Sequence, residues 1–289
     1  MKKNSLKIDF STKNTNARVV VFGSTGFIGS SVINILKKNK NKYISFNSKN
    51  LDLTNKRTLK KSKYIAKMSD IVLFAAAQAP VKDEKMLLNN ILMLENFIKI
   101  KNIFNVKKII YVSSDAVYSD SKKPLNEFSP TKPENLHGIM HLTREIFLKN
   151  LFNEKLTIVR PTLIYGAKDP HNGYGPNKFI RDAKKNKELK IFGKGEEIRD
   201  HISIKDVSSI IYTLLFYETS GVINAVSGFP TSFLKIANKI KKMNNNIIKI
   251  NYIKRNGPMP HNGYRTFDTS NLKNHFPKLK LKNFLKDYF

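Results

Sequence analysis

Arg18-Val19-Val20-Val21-Phe22-Gly23-Ser24-Thr25-Gly26-Phe27-Ile28-Gly29 is the stretch on which the fold turns. Its first five residues are short, β-branched and stopped by glycine, the pattern of a buried strand. The following Ser30-Ser31-Val32-Ile33-Asn34-Ile35-Leu36-Lys37-Lys38 has helical spacing of its apolar residues and a basic last turn. Between strand and helix, Gly23, Gly26 and Gly29 recur at intervals of three. Glycine permits a tight turn and close backbone approach, and the helix N-terminus offers unpaired N–H groups with a partial positive charge. Three glycines alone serve a structural turn equally well. A strand before them and a helix after them imply a phosphate cradle formed by Gly23, Thr25, Gly26, Phe27, Ile28 and Gly29.

Working outward, Tyr43-Ile44-Ser45-Phe46, Asp70-Ile71-Val72-Leu73-Phe74, Lys108-Ile109-Ile110-Tyr111-Val112-Ser113-Ser114 and Leu156-Thr157-Ile158-Val159-Arg160 read as further strands. Helices are expected over 86–100 and from about Gly138 to Asn150. Strands alternating with helices at this spacing imply a parallel sheet covered on both faces, with ligands bound beyond the carboxyl ends of its strands. Gly23 and the Ser113-Ser114 pair both fall at such ends. Beyond about Pro161 the pattern becomes irregular and richer in Gly, Pro and Asn. We divide the chain into a polar extension (1–17), a dinucleotide-binding domain (18–165), and a mainly substrate-binding lobe with returns to the sheet (166–289).

The 289 residues are 40% hydrophobic, enough for a sizeable core. No cysteine is present, which excludes disulfides, Cys-ligated metals and thiol catalysis. No metal-ligand constellation stands out, and His171 and His201 read as loop or structural histidines. No apolar run reaches the roughly 18–20 residues of a membrane span, and the N-terminus lacks a secretory signal, so a cytoplasmic location is expected. The net charge of +30 would suit nucleic acid if it were concentrated. Only eight of the 52 basic residues are arginine, and the lysines are scattered, at Lys37-Lys38, Lys60-Lys61, Lys107-Lys108, Lys184-Lys185 and Lys241-Lys242. We read the charge as compositional drift, with no specific nucleic-acid or membrane partner.

Together these segments resemble the extended short-chain dehydrogenase/reductase family, the NAD-dependent epimerases and dehydratases of nucleotide sugars, over about Arg18–Phe276. The resemblance implies a Rossmann-type doubly wound α/β fold with a smaller C-terminal lobe, and an NAD or NADP cofactor. Asp70–Ala77 looks like the family strand whose small residues, here Ala75, Ala76 and Ala77, line the cofactor. Asn90 is similar to its helix-borne asparagine, and Ser113-Ser114 to the strand end carrying the catalytic hydroxyl, which falls on Ser114; the resemblance implies that Asn90 and Ser113 touch the cofactor. Where a carboxylate would hold an NAD ribose, this chain reads Phe46-Asn47-Ser48-Lys49-Asn50. The absent acid, with Ser48 and Lys49 available to a 2′-phosphate, tilts the balance toward NADP, although Lys49 also reads as one more surface charge. Asp52 and Leu53 are placed for the adenine.

One departure stands out. The family carries Tyr-x-x-x-Lys at the start of the helix after the serines. Alignment on Gly138 and Glu145 puts His137 at the tyrosine and His141 at the lysine. Spacing of i, i+4 sets both imidazoles on one helical face. Histidine starts near pKa 6.5 and needs no neighbouring charge to exchange a proton at neutral pH. His137 then serves as acid/base and Ser114 orients the reacting oxygen, while His141 takes the place beside the cofactor. A catalytically impaired binder, sensor or assembly protein is the alternative.

In the second lobe the glycine-rich Asp169–Phe179 reads as a binding loop. Asn177 matches a family asparagine that touches the sugar nucleotide, with a helix N-cap as its bland reading. Arg199 opens the Arg-Asp…Asp-Val signature and is expected on the diphosphate, as is Arg265, for which an ion pair with Asp268 is the competing explanation. Ala116, where the family's dehydratases place a second acid after the catalytic hydroxyl, ranks dehydration below epimerisation or reduction. Family analogy also implies a homodimer through the helices near Met86 and Gly138.

Overall fold

The computed structural model describes residues 5–57, 66–171 and 173–287. Met1–Asn4, Lys60-Lys61 and Asn172 of the passages quoted above lie outside them. Nine elements carry the cofactor half. They are β1 (Lys7–Asp9), β2 (Val19–Phe22), α1 (Phe27–Lys38), β3 (Tyr43–Phe46), β4 (Ile71–Phe74), α2 (Glu84–Ile98), β5 (Lys108–Val112), α3 (Leu136–Phe152) and β6 (Leu156–Pro161). Val19–Phe22, Ile71–Phe74 and Lys108–Val112 are buried at every position, as continuous apolar strands covered on both faces must be.

The strands form one seven-stranded sheet in the order β1, Glu218–Ala225, β6, β5, β4, β2, β3. All neighbours run parallel except β1, which pairs antiparallel with the Glu218–Ala225 strand. Residues 5–9, read from sequence as part of a polar extension, are therefore built into the sheet, with Leu6 buried. The three residues of β1 are too short and too polar to stand out by pattern. Chain order runs β2 to an outer neighbour, β3, and then crosses back to β4 on the other side of β2. That reversal opens a crevice beyond the strand ends, where ligands bind in sheets of this kind.

Two apolar clusters sandwich the sheet. One packs α1 and the Ile204–Phe216 helix (Val32, Leu36, Ile210, Leu214) on one face. The other packs Leu94, Phe97 and Leu148 against Phe22, Phe74 and Tyr111 on the opposite face. Beyond β6 the chain builds three small sheets: Leu163–Tyr165 with His201–Ser203, Leu189–Phe192 with Ile250–Ile253, and Thr231-Ser232 and Tyr264-Arg265 flanking Ile198-Arg199. Helices α4 (Pro176–Lys184), α5 (Ile204–Phe216) and α6 (Phe233–Met243) accompany them. A third cluster, centred on Phe179, Leu189, Ile191, Phe233 and Ile236, gives this part its own core. Among the described residues no helix is long and apolar enough to cross a membrane.

Candidate active site

The glycine loop is shaped by steric necessity. Gly23 has φ +86°, and a Cβ there would lie 2.7 Å from the Ala75 carbonyl carbon and the Ala76 nitrogen. A Cβ on Gly29 would lie 2.2 Å from the Gly23 carbonyl oxygen. Side chains at these two positions would push the loop off β4 and off its own helix. Gly26 caps α1 with no side-chain hydrogen bond, and no acid occupies the first turn of that helix. The N-terminal N–H groups are thus left for an anion, with the basic Lys37 and Lys38 at the far end.

A cleft of about 300 Å³ lies beside this loop. Its walls include Gly23, Thr25 and Gly26, then Ser48, Asp52 and Leu53, then Ala75, Ala76 and Ala77. Those nine were all expected at the cofactor. Lys49 stands outside the lining, as do Phe27 and Ile28, half-buried in the first turn of α1, and Gly29 beneath the loop. Phe22, Phe46, Asn47, Leu51, Thr54, Gln78 and Met93 line the cleft without having been expected there. Phe22 and Phe46 end β2 and β3, so their position at the strand termini was the signal available.

Two expected cofactor contacts, Asn90 and Ser113, are committed elsewhere, and a third, His141, is engaged through one ring nitrogen. Asn90 is fully buried and uses its whole amide internally. Nδ2 donates to the Gln78 (2.9 Å) and Met86 (2.8 Å) carbonyls, and Oδ1 accepts from the Gln78 N–H (3.0 Å) and from Arg144 (3.1 Å). It anchors the cleft wall from behind. Ser113 donates its hydroxyl to Glu145 Oε1 at 2.6 Å. His141 is 4% exposed, and its Nδ1 lies 2.7 Å from the Tyr111 hydroxyl.

Ser114 follows β5 and caps the short turn Asp115–Val117, its Oγ accepting from Ala116 N–H at 3.1 Å. Asn135 caps α3 by accepting from Gly138 N–H at 2.9 Å. A Cβ on Gly138 would lie 2.1 Å from the Ala116 carbonyl oxygen, so glycine lets the first turn of α3 rest directly on the serine turn. That contact delivers His137 to the strand ends. Its Nδ1 accepts from Val81 N–H at 3.5 Å, just past the Ala75–Gln78 wall, and its ring meets that of His141 edge-on at 4.7 Å.

Burial holds His137 below the usual histidine range; the nearby Asp115 opposes the shift and His171 adds to it. His141 is pushed well below that range by burial, then by His137 and Arg144. Both rings are neutral at pH 7. A carboxylate also reaches this place: Asp115 Oδ2 accepts from Arg265 Nε at 2.9 Å.

The second-lobe residues differ most from expectation. Arg265 is 2% exposed and pairs with Asp115 and Asp120, with further contacts to the Asp115 and Tyr118 carbonyls and His261. Its donors are used within the protein, so it is a clamp on the serine turn and not an open diphosphate contact. Asp268, proposed above as its partner, instead accepts from Ser270. Asn177 is the second residue of α4, after the cap Gly175; it accepts from Gly166 N–H (2.9 Å) and donates to the Ile164 carbonyl (3.2 Å). It staples the loop and caps nothing. Arg199 gives Nε to Glu197 at 2.7 Å, and Arg255 reaches the other oxygen of Glu197 at 3.2 Å. Two guanidiniums on one carboxylate leave one net positive charge.

The glycine loop, uncapped helix and switch-point cleft define a dinucleotide-binding α/β protein. Residues 19–225 match the model of the NAD dependent epimerase/dehydratase family. The chain belongs to that family. A similar protein is dTDP-D-glucose 4,6-dehydratase of Bos taurus, 27% identical over 255 residues that span 77% of this chain and 72% of the relative. Among solved structures, GDP-L-fucose synthetase from Naegleria fowleri bound to NADP superimposes with TM-score 0.79 at 21% identity, covering 99% of this chain and 94% of the other. GDP-mannoheptose C4 reductase from Campylobacter jejuni with NADP bound gives 0.74 at 19% identity, covering 95% and 96%. These structures share the fold.

The buried histidines make stability sensitive to acid. His137, His141 and His261 are all lowered, and His201, 2% exposed, is pushed down to about 3 by burial. The unfolded chain takes up protons below about pH 6.5 that the folded one refuses, so stability is full above that pH and lost as pH falls. Urea unfolding should show a loss of roughly 2–4 kcal/mol between pH 7 and 5, reduced in His201→Leu. An unchanged midpoint over that range would mean that the rings protonate in place.

Proposed function

We propose that the chain is an NAD(P)-dependent oxidoreductase or isomerase acting at a sugar carbon of a nucleoside-diphosphate sugar, as a reductase or epimerase. The observation that carries this reading is the meeting of His137 with Val81 at the end of the cleft wall, beside Ser114. It sets a proton-exchanging group at the margin of the dinucleotide cleft, on the carboxyl ends of β4 and β5.

Gly23, Thr25 and Gly26, with the α1 N-terminus, would hold the pyrophosphate, and Asp52 with Leu53 the adenine. When bound, the nicotinamide supplies or accepts a hydride. The protein does the rest. Ser114 Oγ accepts from the Ala116 N–H and donates only a long bond to Asp115 Oδ1 (3.4 Å), from which its proton can turn to the reacting oxygen. His137 carries its proton on Nε2, because Nδ1 faces the Val81 N–H donor, and so acts as hydrogen-bond donor to an oxygen that gains negative charge, the proton that completes the hydroxyl coming from water. This suits ketone reduction. Epimerisation additionally needs a proton to be taken from the substrate hydroxyl. Dehydration is disfavoured, since Ala116 removes the second acid and Arg265 engages Asp115.

The absence of an acid after β3, together with Ser48 in the lining, supports NADP over NAD. Arg199 and Arg255 around Glu197 supply the net positive charge that a diphosphate needs. Turnover should be measured with NADPH and NADH in parallel against a panel of nucleoside-diphosphate sugars and their keto forms. Wild type is expected to act on at least one, with NADPH preferred, and His137→Ala to lose about 10²–10⁴-fold. Tight cofactor binding with no turnover on any sugar would leave a non-catalytic binder.

We further propose that the chain forms a homodimer through α2 and α3 in the cytoplasm. Leu88 (67% exposed), Ile146 and Phe147 (51% each) leave an apolar face on these helices that water does not favour. Sedimentation velocity should show a dimer that Phe147→Glu converts to monomer; a monomeric wild type at micromolar concentration would rule this interface out.

A further inference from the structure

The proton on His141 can be placed by counting donors. Tyr111 is 1% exposed and its hydroxyl lies 2.7 Å from His141 Nδ1. A buried hydroxyl whose proton finds no acceptor is costly, about 1–3 kcal/mol. If His141 carried its proton on Nδ1, that N–H would point at the Tyr111 oxygen and the phenolic proton would be stranded. With a neutral ring, the arrangement that wastes nothing has Tyr111 donating to a bare Nδ1, and His141 protonated on Nε2.

Arg144 reinforces this direction. Its guanidinium is fully buried, lies 5.2 Å over the Phe74 ring, and donates to the carbonyls of Ala76 (2.8 Å) and Asn90 (2.6 and 3.1 Å). Among the described residues no carboxylate pairs with it. An arginine can only donate, and its charge acts on both neighbours: it eases the Tyr111 phenol toward giving its proton and opposes protonation of His141. Burial nevertheless raises the Tyr111 phenol above the ordinary tyrosine range, so it stays a hydroxyl and a fixed donor. The His141 Nε2 is not among the buried, unpartnered polar atoms, and the His137 ring meets the His141 ring edge-on at 4.7 Å.

We propose that Tyr111, backed by Arg144, is a positioning residue that locks His141 as its Nε2–H form, so that His137 and His141 present two N–H donors, one helical turn apart, to an acceptor oxygen entering beside Ser114. The inference rests on the proposed redox reading for the identity of that oxygen, a hydroxyl or carbonyl of substrate or cofactor, but not for the tautomer itself. A pair of donors stabilises developing negative charge and biases the site toward reduction. Tyr111 supplies from the strand a hydroxyl that an alignment of the helix alone does not reveal.

The test needs neither substrate nor turnover. Nitrogen-15 histidine spectra of the cofactor-free protein at about pH 7.5 report which ring nitrogen carries the proton, with His141 assigned by loss of its signals in His141→Gln. Wild type is expected to show a single Nε2–H form for His141, and Tyr111→Phe a mixture of both forms with the His137 signals in place. Tyr111→Phe removes one oxygen and leaves the ring packed, so the fold persists. A wild-type His141 protonated on Nδ1, or a tautomer unmoved by Tyr111→Phe, overturns the proposal. An Nε2–H form in a protein inert toward every sugar would instead sink the redox reading and leave the lock standing.

Discussion

Everything in the site hangs on the buried pair of Glu145 and Arg160. Arg160 leaves β6 and meets Glu145 of α3 with two parallel hydrogen bonds, 2.8 Å through Nε and 2.5 Å through Nη2, both side chains at most 1% exposed. The same carboxylate accepts the Ser113 hydroxyl from β5, and Arg160 goes on to the Tyr118 hydroxyl (2.8 Å), which donates to Asn224 (2.7 Å) on the next strand. Three strands, one helix and the serine turn are thus joined at one point. Isolated buried charges are expensive, and removing one partner typically costs about 3–5 kcal/mol. Here the oxygens and nitrogens are nearly all satisfied, so the pair specifies a geometry: α3 can sit in one position over β5 and no other. His137 and His141 inherit that position.

Around this anchor the site is organised to keep protons where they are. Burial pushes the Tyr118 phenol up to about 12 and holds the two histidines neutral, while Arg144 and Arg160 supply fixed positive charge behind them. In the proposed reaction His137 is an imidazole whose Nδ1 already faces a backbone N–H. The glycine positions act in the same sense, since Gly23, Gly29 and Gly138 each mark a place where backbone presses on backbone.

Local pattern made much of this legible. The apolar runs of β2, β4, β5 and β6 are contiguous and the glycine spacing is short-range, so strands and cradle could be read within a residue or two of their ends. Ser114 and His137 stand out in the sequence because they occupy motif positions. What escaped reading depends on contacts between distant parts of the chain. Tyr111 and His141 are 30 positions apart and meet only once α3 lies over β5. Arg265 finds Asp115 from 150 positions away, so its neighbour Asp268 was the natural but mistaken partner. Asn90 and Asn177 carry motif identity yet give their amides to nearby backbone, a commitment no spacing reveals. Lys7–Asp9 lacks apolar alternation and becomes a strand because the exposed edge of the Glu218–Ala225 strand is there to receive it.

The central claim is that a neutral, preoriented histidine donates a hydrogen bond to the reacting oxygen. Single-turnover reduction of a keto nucleoside-diphosphate sugar by the NADPH-loaded protein, followed through the reduced-nicotinamide absorbance between about pH 6.5 and 9, tests it most directly. The account predicts a rate that is flat across this range, because the donor is already in its working form. A rate climbing about tenfold for each unit toward acid would show that an imidazolium delivers the proton, and would contradict it.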